Sequence, residues 1–455
     1  MRRSVLAALA IALASAPVAS AASPWSAPAQ LGSCASSGTA RAAFPRDKPT
    51  HSTGRGAIVW SAAHGCASGA GTLIAPISAS DDVPSTPHYA LAPNGRRLML
   101  SAPLSVAPAP HGQLAIAGSG GSSGGGSLVQ GTAGGAFSPL AALAGAAQPG
   151  TLATGYLGDV AALSPIADGR DNGGLELRVE RYFAHTLSPT ITLAGRGGTI
   201  EAPTVSVDFR TDAIVAWAQG GALYARDEPA SDRPAAAIAQ PTQRLASVGH
   251  ATRVSLLISD DNRAIVAWAD ERAGQTSVYL DASGAGVRFA KPHLLERFVD
   301  PAGAAYPLSS PLLTRLSSES VMLAWTGAQD GHWVVRAAAI DLNGLRATST
   351  ISSAEHDALL SDLAPGPDGE AIALWREPRR EADGTLELAG EAIVAARGVD
   401  AYPGKTVFAA PEQIAPPGPN DDATVAFDPN SDRAVALWRG ADGAVEYAIR
   451  SAAGK

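Results

Sequence analysis

Acidic and basic side chains recur in close company in the segments that follow each tryptophan: Asp168 with Arg170, Asp270 with Arg272, Asp330 with His332, Glu377 with Arg379, and then Arg439. Mixed charges a few residues apart on loops can hydrogen-bond the hydroxyls of a polar ligand such as a sugar. Two carboxylates brought together could instead supply an acid–base pair to a glycosidic bond. Loops are also charged simply because they are solvated, and no two carboxylates can be paired from the sequence alone. Other chemistries lack their patterns. The nine histidines are scattered, without two at ligand spacing, so no metal is expected. Gly-x-Ser-x-Gly and Walker strings are absent, and no cofactor is expected. The Gly/Ser-rich stretch 119–136 has no Gly-Lys-Ser/Thr ending to cradle phosphate, and reads as an insertion that connects flexibly.

Those loops must be positioned by something, and the chain repeats. Four segments align without gaps on a terminal tryptophan: FRTDAIVAW at Trp217, DDNRAIVAW at Trp268, GPDGEAIALW at Trp375 and PNSDRAVALW at Trp438. Related copies end at Trp60 and Trp325, and two degenerate ones at Ser101 and Ser164. Six of the eight tryptophans therefore occupy one repeat position, and a unit of about fifty residues suits a propeller blade of four short strands. The tryptophan ends an apolar run, so it is expected to be packing between blades rather than stacking on a sugar.

Each unit reads strand by strand. An alternating segment (Val205-Ser206-Val207) precedes a turn rich in Asp, Asn, Gly and Pro, as hairpins require. The continuous run Ala-Ile-Val-Ala-Trp follows, as expected of a strand covered on both faces, and is too short for a helix. A second alternating segment comes next (Leu223-Tyr224-Ala225), then a fourth strand that carries proline, tolerated on an outer edge. The chain stops after a third strand at Arg450, whereas Trp25-Ser26-Ala27-Pro28-Ala29-Gln30-Leu31 matches a fourth. The N-terminal strand is thus expected to complete the last blade and close the ring. The landmarks give an all-β propeller of eight four-stranded blades, with seven as the alternative.

The combination D-x-x-G/R-A-x-x-x-W, x-Tyr-x-x-Arg and W-S-A-P-x-x-L resembles the repeat of uncharacterised secreted propeller-like proteins of high-GC bacteria, over roughly residues 24–451. The architecture is distantly similar to that of sialidases. Their Arg-Ile-Pro and Ser-x-Asp-x-Gly-x-x-Trp segments are missing, and the resemblance implies no catalytic residues.

Residues 1–21 have the charged, apolar and Ala-Ser-Ala order of a secretory signal peptide, and 22–455 reads as a single propeller domain. After cleavage no apolar segment is long enough to span a bilayer. In an exported chain the pair Cys34 and Cys66 is expected to form a disulfide. The formal charge of −8 becomes more negative once Arg2 and Arg3 are removed. No basic run offers itself to nucleic acid or to an anionic membrane. The sequence therefore leads to a secreted, extracellular, monomeric propeller that binds a glycan or a cell-surface protein without catalysis. A glycoside-cleaving enzyme with its site on the loops after the tryptophans is the alternative.

Overall fold

The computed structural model describes residues 24–451 except 37–39, 46–55, 63–65, 67–68, 78–83, 110–111, 121–124, 144–150, 156–158, 167–173, 182–185, 188–190, 194–197, 209–211, 229–240, 259–262, 284–287, 302–309, 318–319, 342–343, 367–368, 383, 402–404 and 429–432. The expected signal peptide lies outside the described residues.

Eight antiparallel sheets follow one another along the chain, each with strands in the order A-B-C-D from the inside outward. The innermost A strands are Arg41–Ala43, Leu100–Ala109, Leu152–Thr154, Ile200–Val207, His250–Ile258, Leu312–Arg315, Leu359–Pro365 and Asp421–Asp428, of blades 1 to 8. Each A strand touches the next, and that of blade 8 returns to that of blade 1, so the ring is closed around an axial channel. In blade 8 the outer strand is Ala29–Gly32, paired with Val445–Arg450, while Trp25 bridges to Arg450. The ring is an eight-bladed β-propeller shut by its N-terminal strand.

The B strands explain the repeat. Trp60, Trp217, Trp268, Trp325, Trp375 and Trp438 are each at most 1% exposed. Each lies inside a B strand whose two faces meet neighbouring sheets, so the apolar run that it closes has no polar face to show. Trp268 stacks on Tyr279 of strand C at 5.3 Å. Carboxylates cap three of the indoles: Nε1 of Trp325, Trp375 and Trp438 donates to Glu296, Glu377 and Glu446. A buried indole N–H usually finds such an acceptor; those of Trp60 and Trp268 have none among the described residues. Cys34 and Cys66 form the expected disulfide.

Blade 2 corrects the sequence reading. Ser101 lies on strand A, and strand B is Gln113–Gly120. Gly118 takes the place of the tryptophan. A Cβ there would lie 2.6 Å from Leu104 Cδ2 and 3.0 Å from Leu100 Cβ, so two leucines of strand A fill the volume of the absent indole. The Gly/Ser-rich segment is likewise more than an insertion, because Gly126–Gly131 is strand C of this blade, with Leu128 and Val129 buried. Glycine removes the side-chain alternation by which a strand is recognised, and the strand vanishes from the pattern without vanishing from the fold.

Candidate channel-mouth site

The B–C turns and the D–A connections share one face of the ring, and the described ones among the charged residues singled out from the sequence lie there. Asp168 and Arg170 fall outside the described residues. Asp270 is 5% exposed and accepts from Gly249 N (2.6 Å) and Arg272 Nε (3.0 Å). Arg272 also donates to Ser247 O, tying the blade 4–5 connection to the blade 5 turn. Asp330 stands at φ 52° in the blade 6 turn. His332 approaches Asp357, which takes two hydrogen bonds from Arg380 (2.7 and 2.6 Å) and one from Trp333 N. Burial pushes the Asp357 pKa up, but the hydrogen bonds and charge of Arg380 and the Trp333 N–H outweigh it and hold the group below its ordinary value. Glu377 caps Trp375, and Arg379 is exposed. These residues form local networks at separate blade seams. Only Arg439 reaches a larger constellation.

That constellation begins on the A strands. The residue that precedes the tryptophan place on strand B faces a polar partner on strand A in six blades: Arg41, Ser105, Thr204, Ser255, Asp362 and Thr424. In blade 6 the partner is Leu312. Several of these belt residues cross to the next blade. Thr424 Oγ1 donates to Ala40 O, Ser255 Oγ accepts from Leu313 N, and Asp362 Oδ2 accepts from Val425 N at 2.9 Å. A hydroxyl serves in blades 5 and 8, and a carboxylate takes the same part in blade 7.

Just above this belt, five of the eight A strands carry a register shift: between Ser101 and Ser105, Glu201 and Thr204, Ala251 and Arg253, Leu360 and Asp362, and Asp421 and Thr424. Bulges bend a strand and re-aim a side chain, and they gather at rims and functional sites. Here they ring the channel mouth. Asp422, in the blade 8 bulge, has φ 51°.

Charge concentrates on blades 5, 7, 8 and 1 of this ring. The Asp362 carboxylate lies within electrostatic reach of Arg41 and Arg253, and Arg41 also feels Asp422. Burial raises the Asp362 pKa, against the pull of two backbone N–H groups and both arginines. Next to it, Ser361 Oγ receives Arg376 Nε, and Arg376 Nη1 donates to Glu391 at 2.8 Å. The Glu391 side chain is wholly buried, and burial raises its pKa from 4.5 to about 7 despite Arg376. Asn420 Nδ2 holds the Glu391 carbonyl, and Asp421 pairs with Arg439 at 2.7 Å. Asp421 is also raised, by burial first and Asp422 second. Beyond this group, Glu201 accepts from Ala251 N and lies 3.0 Å from His250 Nδ1 on the blade 4–5 rim.

The arrangement can hold a ligand by hydrogen bonds and charge. Among the described residues no three His, Cys, Asp or Glu side chains gather as a metal site, and no helix is long and apolar enough to cross a membrane. Arg41, Arg253 and Asp362 are not legible as site residues in the sequence, because they lie within strands rather than in the charged loops. Their one signal is a charge inside a short alternating strand, as in Ala40-Arg41-Ala42 or Ser361-Asp362-Leu363.

No protein-family model and no curated protein matches the chain. Among solved structures it is similar to a polysaccharide lyase described as a PL25 ulvan lyase, at 10% identity and a TM-score of 0.48 over 92% of this chain and 95% of that one. It is similar to the hydrazine synthase of Kuenenia stuttgartiensis, at 12% identity and a TM-score of 0.43, over 81% and 96% of the two chains. A Hadza microbial sialidase matches at 10% identity and a TM-score of 0.38, over 74% and 73%. Neighbours this remote carry no argument about what the channel mouth binds.

Proposed function

We propose that the protein is an exported, monomeric recognition propeller that holds a glycan at the channel mouth without cleaving it. One observation carries this reading: polar groups converge at the mouth, yet three of its carboxylates are engaged in holding the structure. Asp362 receives two backbone N–H groups, Asp421 is paired with Arg439, and Glu391 is buried against Arg376. Most glycoside hydrolases work with two carboxyl groups that flank the scissile bond and face the substrate. An extended polar ligand, by contrast, is well served by fixed arginines and hydroxyls whose positions are set in advance.

The test is a glycan array probed with the purified protein, together with an assay for newly formed reducing or unsaturated sugar ends. Retention of glycans without product supports recognition. Product release would move the protein to the glycan-cleaving class, and an array on which nothing is retained would overturn glycan recognition.

A further inference from the structure

We propose that the ligand held at the channel mouth carries a carboxylate, as in a uronic-acid glycan, and that this group docks on Arg253 with Arg41 beside it. The inference rests on the recognition reading above and specifies the ligand's chemistry.

Arg253 stands on the bulged A strand of blade 5, and Arg41 on the A strand of blade 1, which lies opposite in the ring. Both side chains keep part of their surface accessible. Arg253 Nε is buried without a hydrogen-bond acceptor among the described residues. Its charged neighbours are Asp362, which attracts it, and Arg41, which repels it. Arg41 donates Nη1 to Ala40 O and has both Asp362 and Asp422 within electrostatic reach. Arg253 is therefore the less compensated of the two.

Acceptors are the scarce commodity at this place. A guanidinium carries five N–H donors, and Asp362 already accepts from Leu363 N and Val425 N. A buried donor without an acceptor loses its solvation and regains nothing. A carboxylate supplies two acceptor oxygens in a plane that matches the guanidinium fork, and a negative charge that offsets the repulsion between the arginines. A neutral hydroxyl supplies an acceptor but no charge. A cationic ligand would face two arginines and a carboxylate already occupied by backbone N–H groups. Burial lowers the pKa of both arginines, with Asp362 opposing the fall.

The experiment measures affinity for a panel of uronic-acid oligosaccharides, each paired with its methyl ester, which keeps the backbone and removes the charge. At least one acid form should bind at least about tenfold tighter than its ester. Arg253→Gln should reduce the acid to the level of the ester, and Arg253→Lys, which keeps the charge without the fork, should fall between. Without ligand, Arg253→Gln should melt no lower than the parent, because it removes a cation whose buried Nε has no acceptor among the described residues and which Arg41 repels. Equal binding of every acid and ester, or a preference that survives Arg253→Gln, overturns the inference. Retention of uncharged glycans alone would overturn it while leaving the recognition reading intact. Retention of no glycan at all would overturn both.

Discussion

The seams between blades 5 and 6 and between blades 7 and 8 share a backbone plan and differ in what they place beside it. Between blades 5 and 6, Ile265, Val278, Phe298, Leu323, Trp325 and Trp333 form a closed apolar cluster. Its polar links are Glu296, which caps Trp325 and pairs with Arg336, and single cations or hydroxyls on backbone groups: Arg263 on Asp341 O, Arg315 on Ile258 O and Ser255 accepting from Leu313 N. Between blades 7 and 8 an apolar cluster around Leu374, Ile393 and Trp438 is also present. Above it lie Arg376 with Glu391 and Asp421 with Arg439, joined to the channel through Ser361 and Asp362. The apolar layer builds the ring. The ionic layer marks the mouth, with Glu391 wholly buried and the Asp421–Arg439 pair partly exposed.

If that division holds, the largest effects belong to the apolar layer. Trp325→Ala and Trp268→Ala should each destabilise the protein by about 3–5 kcal/mol, as for other large buried side chains, measured by urea denaturation. Wild-type midpoints for both would break the comparison at its root.

The ionic layer should appear in the pH dependence of stability. Glu391 has an ordinary pKa of 4.5 and a folded value of about 7. Between these values the folded protein holds a proton that the unfolded chain has released. Stability should therefore fall as pH rises through the window, by up to about 3 kcal/mol. Asp227, raised by burial and by Asp212 and Asp208 to about 7, acts in the same direction. Glu391→Gln should remove its share of the slope between pH 4.5 and about pH 7 and leave the share of Asp227. An unchanged slope would mean that Glu391 is not buried as a proton-binding group.

Smaller effects sharpen the contrast. Arg439→Ala breaks a pair whose Asp421 partner is 41% exposed. It should cost no more than about 1 kcal/mol. Arg379, exposed on the same face, should tolerate alanine within about 0.5 kcal/mol. A larger loss at Arg379 than at Arg439 would contradict the placement of the network.

The ring was legible because buried tryptophans repeat, and because the end strands match one another. Trp217, Trp268, Trp375 and Trp438 each close a run of five apolar residues on a strand with no solvent face along that run. Blade 2 was misread where Gly118 and two leucines replaced that signature. The loop charges were visible but mostly serve as local fasteners, as Asp270 and Asp357 do. The channel mouth was hidden for a different reason. A bulge shifts the alternation by one residue, so whether Arg253 or Asp362 faces inward depends on a backbone irregularity that their own side chains do not encode.

The pairing of Ala29–Gly32 with Val445–Arg450 also sets an order of events. The first strand of the described chain to leave the ribosome has its partner among the last. Until both ends are present, blade 8 lacks its outermost strand, and closing so long a loop is entropically slow compared with forming any local hairpin. Seven blades can assemble as the chain grows, while the eighth waits. A chain halted before Val445 would be left with unpaired strand edges that invite association with other chains, so the strand that locks the finished ring also makes the unfinished one vulnerable.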